Sequence, residues 1–250
     1  MAGIHRQFPA AAEYLSGIYI LRRDYGEAGN RRLSEWLGVS EPAVTQALGR
    51  LKRLRLVRQK PYGDIALTPT GRLLAVQVLR RHYLLEHLLV RMLEYPWEKA
   101  DEEAKVLQSL ISQDLTEHLF RSLGSPKACP HGNPMPGSPA EGRLVAAARL
   151  TDAPVGKAVR ILRITEEGEQ VPSLLNACGS RGVWPGARFV VRARDAESLS
   201  LVADGRARHQ DHGANRPKDR RTGPAVVRLP LSMARHVRYE PSSRGKLNPR

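Results

Sequence analysis

Residues 31–53 read RRLSEWLGVSEPAVTQALGRLKR, and this stretch decides the N-terminal fold. A short segment with apolar side chains at helical spacing ends at Gly38, which allows a tight turn. Ser40 is a preferred N-cap residue, and Pro42 suits the first turn of a helix, where its missing N–H costs little. The pattern therefore predicts a helix–turn–helix whose second helix spans 41–53.

The flanking segments extend this motif to a winged domain. Residues 10–24 carry apolar side chains at helical spacing and predict a preceding helix. Two short apolar runs, 57–60 and 65–68, enclose the turn-forming residues 61–64 and predict a β-hairpin wing. In such folds the second helix of the motif enters the major groove of DNA, although some winged folds serve protein contacts instead.

The exposed start of the 41–53 helix supplies the predicted DNA contacts. Gln46 can pair with adenine through two hydrogen bonds, while Ala43 and Thr45 can contact thymine methyl groups. Arg50 lies one turn farther along, as a phosphate contact. The predicted DNA-contacting residues are Ser40, Glu41, Pro42, Ala43, Thr45, Gln46, Arg50 and, in the wing turn, Tyr62.

Composition narrows the class of protein. The 250 residues include 40 Lys and Arg against 25 Asp and Glu, a formal charge of +15 that favours a polyanionic partner. Two widely separated cysteines argue against a disulfide scaffold. Without a long apolar run or a signal-peptide pattern, we expect a cytoplasmic protein with no membrane partner. No catalytic constellation stands out, so we expect neither an enzyme nor a small-molecule substrate.

The remainder of the chain predicts two further domains. A long helix from Thr68 to about residue 94 has an apolar face too broad for a small winged domain, so we expect it to pair with a second copy in a homodimer. One further helix is predicted at 98–122. Apolar runs separated by turns after residue 155 predict a small β-barrel. The polar, Arg-rich segment 206–223 is interpreted as a disordered insertion.

These elements define the predicted domain limits. The class is mainly α with a small β domain. The limits are 1–76 for the winged helix–turn–helix domain, 77–140 for a helical dimerisation and metal-binding domain, 141–154 for a linker and 155–242 for the β domain.

Several motifs resemble the diphtheria toxin repressor family of metal-dependent regulators, which includes iron-dependent and manganese-transport repressors. They are AEYLSGIYIL, SEPAVTQALGRLKRLRLV, LTPTGRLLA, RRHYLLEHLL, CPHGNPMPG and LLNACGSRGVWPGARFVV. The resemblance covers nearly the whole chain. It implies that the β domain is SH3-like and related to the FeoA fold, that a homodimer binds a palindromic operator in double-stranded DNA, and that a divalent metal switches repression.

The resemblance also implies an ancillary metal site. His82 and Glu86 are four residues apart and share one face of the long helix. They match the family's ligands on that helix, and Asp101, Glu167 and Gln170 fall at the remaining ligand positions. One imidazole among oxygen ligands suits Mn²⁺ or Fe²⁺, with Zn²⁺ or Co²⁺ as competitors. The alternative is an ordinary ion pair on a dimer helix.

The family's primary metal site is degenerate in this sequence. By resemblance its four positions hold Glu13, Lys105, Gln108 and Ser109, and a charged lysine cannot ligate a metal. A Lys105–Glu13 ion pair would then pin the first helix and lock the DNA-binding form. The alternative is that Lys105 extends into solvent. Cys129 and His131 form a weak metal motif, since no second pair lies nearby in sequence.

The sequence therefore favours a sequence-specific transcriptional repressor that responds to a divalent metal through the ancillary site. One alternative is a metal-independent regulator, locked by Lys105 or tuned by another ligand. The other is a DNA-architectural protein with little sequence preference.

Overall fold

The computed structural model describes residues 10–60, 63–204 and 226–242. They divide between Arg81 and His82 into two compact units. Tyr62 and the predicted 206–223 insertion lie outside the described residues.

The first unit contains the predicted winged helix–turn–helix. Its helices are α1, Ala11–Tyr25, α2, Asn30–Leu37, and α3, Glu41–Arg53. The wing strands β1, Val57–Gln59, and β2, Ile65–Leu67, pair antiparallel. The observed bounds agree with the predicted ones to within one residue, which confirms this part of the fold.

Local chemistry fixes where the reading helix begins. Gly38 ends α2 in the left-handed conformation, with φ +64°. The Ser40 hydroxyl then accepts a hydrogen bond from the Ala43 amide at 3.4 Å and caps α3. Val44, Leu48 and Leu51 are fully buried on the inner side of α3, which leaves its opposite side to solvent.

Helix α4, Pro69–His87, runs from the wing exit across the division between the units. The Thr68 hydroxyl accepts a hydrogen bond from the Gly71 amide at 3.1 Å and caps its start. The helix was predicted to continue to about residue 94. Instead it widens into a π-helical turn at Leu88–Met92, and Glu94 adopts a positive φ of 52° that ends it.

The prediction of one helix over 98–122 is wrong. A 3₁₀ turn at Trp97–Lys99 leads into α5, Ala100–Leu107, and a separate helix α6 spans Gln113–Ser122. The Ser112 hydroxyl accepts a hydrogen bond from the Leu115 amide at 3.1 Å, so Ser112 is an N-cap and not a residue inside a helix.

The C-terminal part of the second unit is a six-stranded antiparallel sheet, which confirms the predicted β domain. In spatial order the strands are β3, β8, β4, β5, β6 and β7. Their bounds are Ala148–Arg149 (β3), Ala158–Ile164 (β4), Arg188–Arg194 (β5), Ser198–Ala203 (β6), Val226–Pro230 (β7) and Val237–Pro241 (β8). The predicted apolar runs, 155–164, 188–193, 198–203 and 225–229, fall on β4 to β7, whereas sequence patterning missed β3 and β8. Within the predicted linker 141–154, β3 pairs with β8.

Four short helices accompany the sheet. They are α7, Glu141–Val145, α8, Glu166–Glu169, α9, Leu174–Arg181, and α10, Leu231–Ala234. Helix α8 follows β4 after a single residue, and this places its acidic side chains beside the end of that strand.

One apolar core serves the helical part and the sheet of the second unit. Leu85 of α4, Leu89 of the π-helical turn and Ala104 of α5 share it with Ile161 and Ile164 of β4. This packing brings the ends of α4, α5 and β4 close together. No helix among the described residues is both long and apolar enough to cross a membrane.

Candidate metal centre and nucleic-acid interface

The end of α4 carries the two ionisable residues that were predicted to share a face. His82 Nε2 lies 2.8 Å from Glu86 Oε1 and 3.1 Å from Asp101 Oδ1. All three side chains are buried, and the Glu86 side chain is fully so. The structure thus brings together three of the five predicted ancillary-site residues.

A loop between α6 and α7 adds two residues that sequence reasoning undervalued. His131 Nδ1 lies 3.3 Å from Glu86 Oε2, and ligand atoms of Glu86, Cys129 and His131 all lie within 4.8 Å of one another. On the other side of the ring, His131 Nε2 lies 3.0 Å from the Trp97 carbonyl oxygen. Because a carbonyl can only accept, Nε2 carries a proton, and Nδ1 faces Glu86 as a potential ligand once its own proton is displaced.

Backbone contacts to β4 fix this loop. Gly132 has φ +92°, and a Cβ there would lie 2.2 Å from the Leu162 carbonyl oxygen, so only glycine fits. The Ile164 amide donates to the His131 carbonyl at 2.9 Å, and Asn133 Nδ2 donates to the Ile164 carbonyl at 2.8 Å. The position of the His131 ring therefore depends on the sheet.

Helix α8 contributes Glu169, whose carboxylate Oε1 lies 3.5 Å from His131 Nδ1. Glu166, three residues earlier, is also buried and contacts the Tyr83 hydroxyl. The predicted ligands Glu167 and Gln170 lie elsewhere. The Glu167 side chain is 43 % exposed beside His236, and Gln170 is exposed. A metal role for those two stays a prediction. The i, i+3 spacing of Glu166 and Glu169 places the two on one side of α8, but nothing in the sequence selects that side.

The charges of these buried residues shift one another's pKa values. Burial by itself lowers the pKa of His131, but Glu169 and Glu86 outweigh it and raise that pKa to about 10. Burial likewise disfavours the charged form of His82, yet Asp101 and Glu86 raise its pKa to about 10. Burial raises the pKa of the Cys129 thiol well above its usual value. These groups therefore hold protons that a bound cation would displace.

The donor set fits a divalent cation. Both carboxylate oxygens of Glu86 and Nδ1 of His131 are buried without a hydrogen bond of acceptable geometry. Their present partners are the ion-pair contacts within the cluster, and a bound cation would give each of these atoms a directional bond. Carboxylate, imidazole and thiol together suit a borderline ion such as Fe²⁺, Zn²⁺ or Co²⁺ better than Mg²⁺ or Ca²⁺.

At the predicted degenerate primary site, Lys105 contacts an acidic residue of its own helix. Lys105 Nζ lies 2.5 Å from Asp101 Oδ2. Burial lowers the pKa of Lys105, but the attraction of Asp101 outweighs it and raises that pKa, so the ammonium is charged. Gln108 is half-buried and Ser109 is exposed. Glu13 is exposed on α1 in the first unit, so the Lys105–Glu13 pair stays a prediction.

The predicted DNA-contacting residues cluster on the solvent side of α3. Ser40, Glu41, Pro42, Thr45, Gln46 and Arg50 are exposed, and Ala43 is half-buried. The Ser40 cap fixes the first turn of α3, whose side chains are largely exposed. This is the end whose side chains reach base edges in helix–turn–helix proteins.

A polar network joins this helix to the wing, and sequence reasoning missed it. Asn30 Nδ2 donates to Thr45 Oγ1 at 3.2 Å, while Gln59 Nε2 donates to Asn30 Oδ1 at 2.8 Å. Lys52 Nζ donates to Gln59 Oε1 at 3.1 Å. The three contacts connect α2, α3 and β1, so they fix the reading helix against the wing strand.

Two family models match this chain, one over the winged helix–turn–helix and one over the segment that carries most of the candidate metal centre. Residues 8–65 match the family model for the iron dependent repressor N-terminal DNA binding domain. Residues 68–137 match the model for the iron dependent repressor metal binding and dimerisation domain.

Individual proteins and structures are also similar to this chain. The iron-dependent repressor IdeR of Mycobacterium leprae is 32 % identical over 204 residues, which cover 77 % of this chain and 87 % of that protein. The diphtheria toxin repressor of Corynebacterium diphtheriae is 33 % identical over 175 residues, 66 % of this chain and 77 % of that one. A manganese-dependent transcriptional repressor in complex with manganese superposes with a TM-score of 0.73 at 27 % identity, covering 93 % of this chain and all of that chain.

Proposed function

This chain belongs to the iron-dependent repressor family, and from that membership we propose that it is a dimeric transcriptional repressor controlled by a divalent metal. The observation that carries the proposal is the buried cluster around Glu86, in which unsatisfied oxygen and nitrogen atoms converge with a thiol.

We assign the metal to Glu86, Cys129, His131 and Glu169. Glu86 and His131 each direct an unsatisfied buried atom into the cluster, and Glu169 contacts the same face of His131. Fe²⁺ or Mn²⁺ is the proposed ion, and Zn²⁺ or Co²⁺ can compete through the thiol and imidazole. When bound, the cation supplies the positive charge that the carboxylates share and displaces the protons of His131 and Cys129.

The protein side of the switch is the long helix α4. It begins after the wing at Pro69 and carries His82 and Glu86 near its C-terminal end. Ligation by Glu86 would tie that end of α4 to the loop that carries Cys129 and His131. Helix α3 would then read an operator through Gln46, Thr45 and the other exposed residues at its start.

Dimerisation is supported by exposed apolar side chains in the second unit. Five of them fall between the end of α4 and the first turn of α6: Met92, Leu93, Val106, Leu110 and Leu115. All lie within residues 68–137, the range that matches the metal binding and dimerisation model. Exposed apolar side chains that gather in one patch are typical of a surface covered by a partner. A homodimer presents two reading helices, which predicts a palindromic operator.

Chelator-stripped protein tests the metal switch. A palindromic duplex is first selected from a random-sequence pool, and its affinity is then measured by fluorescence anisotropy with and without Fe²⁺ or Mn²⁺. We expect at least tenfold tighter binding with metal for the wild type and no metal response for Glu86→Gln or His131→Asn. His118→Asn, an exposed histidine of α6, is the matched control and should keep the response. Stripped protein that binds fully would refute metal control.

A second candidate is a metal-independent repressor, favoured by the Lys105–Asp101 ion pair. A fixed ammonium already supplies a positive charge to one side of the cluster. The same titration separates the two functions, because this candidate requires full operator affinity in stripped protein.

We further propose that the protein is not an enzyme and acts on DNA in the cytoplasm. One matching family model is named for DNA binding and the other for metal binding and dimerisation, which supports this role. An architectural protein without sequence preference would instead bind all duplexes from the pool equally.

A further inference from the structure

Asp101 lies at the edge of the Glu86 cluster and has both carboxylate oxygens occupied by basic groups. Oδ1 is 3.1 Å from His82 Nε2, and Oδ2 is 2.5 Å from Lys105 Nζ. The Asp101 side chain is only 7 % exposed, so solvent contributes little to stabilising its charge. The imidazole and the ammonium are therefore its main electrostatic partners.

Three residues of the predicted ancillary site lie in the same neighbourhood and outline a second cation position. Ligand atoms of His82, Glu86 and Asp101 all lie within 4.8 Å of one another, and all three residues are buried. Glu86 also belongs to the set with Cys129 and His131, facing His82 with Oε1 and His131 with Oε2. A carboxylate with one oxygen on each side is the arrangement that bridges two neighbouring metal ions.

Lys105 changes what this second position can hold. It lies one turn after Asp101 on α5, and this i, i+4 spacing keeps its ammonium on the carboxylate. Its side chain is 48 % exposed, so it reaches Asp101 from the solvent side. An ammonium has no lone pair and cannot serve as a ligand, but its positive charge repels a divalent ion nearby.

We propose that the Lys105 ammonium is a tethered cation that takes the place of a second divalent ion at His82, Glu86 and Asp101. The inference rests on the proposed metal centre at Glu86, Cys129 and His131. Each wild-type protomer then holds one divalent ion, and Lys105 sets that number. Removing the ammonium frees Asp101 Oδ2 and opens the second position.

Metal stoichiometry tests the proposal independently of repression. Stripped wild type, Lys105→Gln, Lys105→Arg and Lys99→Gln are each equilibrated with Co²⁺, and bound metal per protomer is measured by dialysis and mass spectrometry. Lys99→Gln is the matched control, because Lys99 is an exposed lysine just before α5. We expect one ion in wild type, Lys105→Arg and Lys99→Gln, and two in Lys105→Gln.

The outcomes distinguish this inference from the function on which it rests. One ion in both wild type and Lys105→Gln would overturn the tethered cation and leave the metal centre intact. Two ions in wild type would also overturn it. No ion in wild type would remove the metal centre itself, and the tethered cation with it. In Lys105→Gln, adding Asp101→Asn should return the count to one. Circular dichroism of each variant verifies that it is folded, and Lys105→Met provides a second neutral replacement.

Discussion

Gly132 is the residue on which the geometry of the candidate metal centre depends most directly. Gly132→Ala would place a Cβ 2.2 Å from the Leu162 carbonyl oxygen at a positive φ, so the loop must move. We expect a loss of more than ~2 kcal/mol in the free energy of unfolding, because backbone strain and a steric clash combine. Urea unfolding measures it.

A second glycine separates these two effects. Gly137 also has a positive φ, 75°, but a Cβ there would meet no atom within 4 Å. Gly137→Ala should therefore lose only about 1 kcal/mol, the cost of the backbone conformation alone. Equal losses in the two variants would contradict a steric requirement at Gly132.

The two cysteines should be inert in the folded protein. Cys178 is fully buried, and burial raises the pKa of its thiol to about 12, so at pH 8 roughly one thiol in ten thousand is ionised. Cys129 is buried as well. We expect no labelling of native protein by iodoacetamide within the time that labels Ser180→Cys, an exposed position on α9. Labelling of either native cysteine at that rate would contradict the burial.

At the scale of elements, the hydrogen bonds among Asn30, Thr45 and Gln59 hold α3 against the wing. Asn30→Ala removes two of these contacts without removing a predicted base contact. We expect about fivefold to tenfold weaker operator binding with an unchanged sequence preference. Gln46→Ala should instead relax the preference at one base pair, since a two-bond contact to a base contributes ~1–3 kcal/mol of discrimination. Competition assays with single-base operator variants distinguish these results.

The helices of this protein also show which features can be predicted from the sequence and which cannot. Ser40 and Pro42 placed the start of α3 correctly because capping is local chemistry. His82 and Glu86 were paired correctly because helical spacing fixes their face. The acidic residue of α8 that faces the metal centre could not be predicted, since EEGEQ places acidic side chains on several faces. Only packing against His131 selects Glu169. The metal-binding potential of Cys129 and His131 was underestimated because their acidic partners lie far away in sequence.

At the scale of the whole molecule, the proposed dimer depends on the exposed apolar side chains near α5 and α6. Leu110 is 75 % exposed, and a charge there would be desolvated inside a dimer. We expect Leu110→Glu to be monomeric by sedimentation at micromolar concentration and to lose operator affinity. Val155→Glu, a 56 % exposed valine outside residues 68–137, should remain dimeric. A dimeric Leu110→Glu would locate the interface elsewhere.

The loop that carries Cys129 and His131 limits which segments can be exchanged between this protein and its relatives. It precedes the sheet in sequence, yet its backbone hydrogen bonds and the glycine contact are made with β4. A chimera joined near residue 140 would pair this loop with a foreign strand and break those contacts. A functional hybrid should therefore take residues 126–137 and β4 from the same parent. Recombination between homologous genes faces the same restriction, so these two segments are expected to be inherited together.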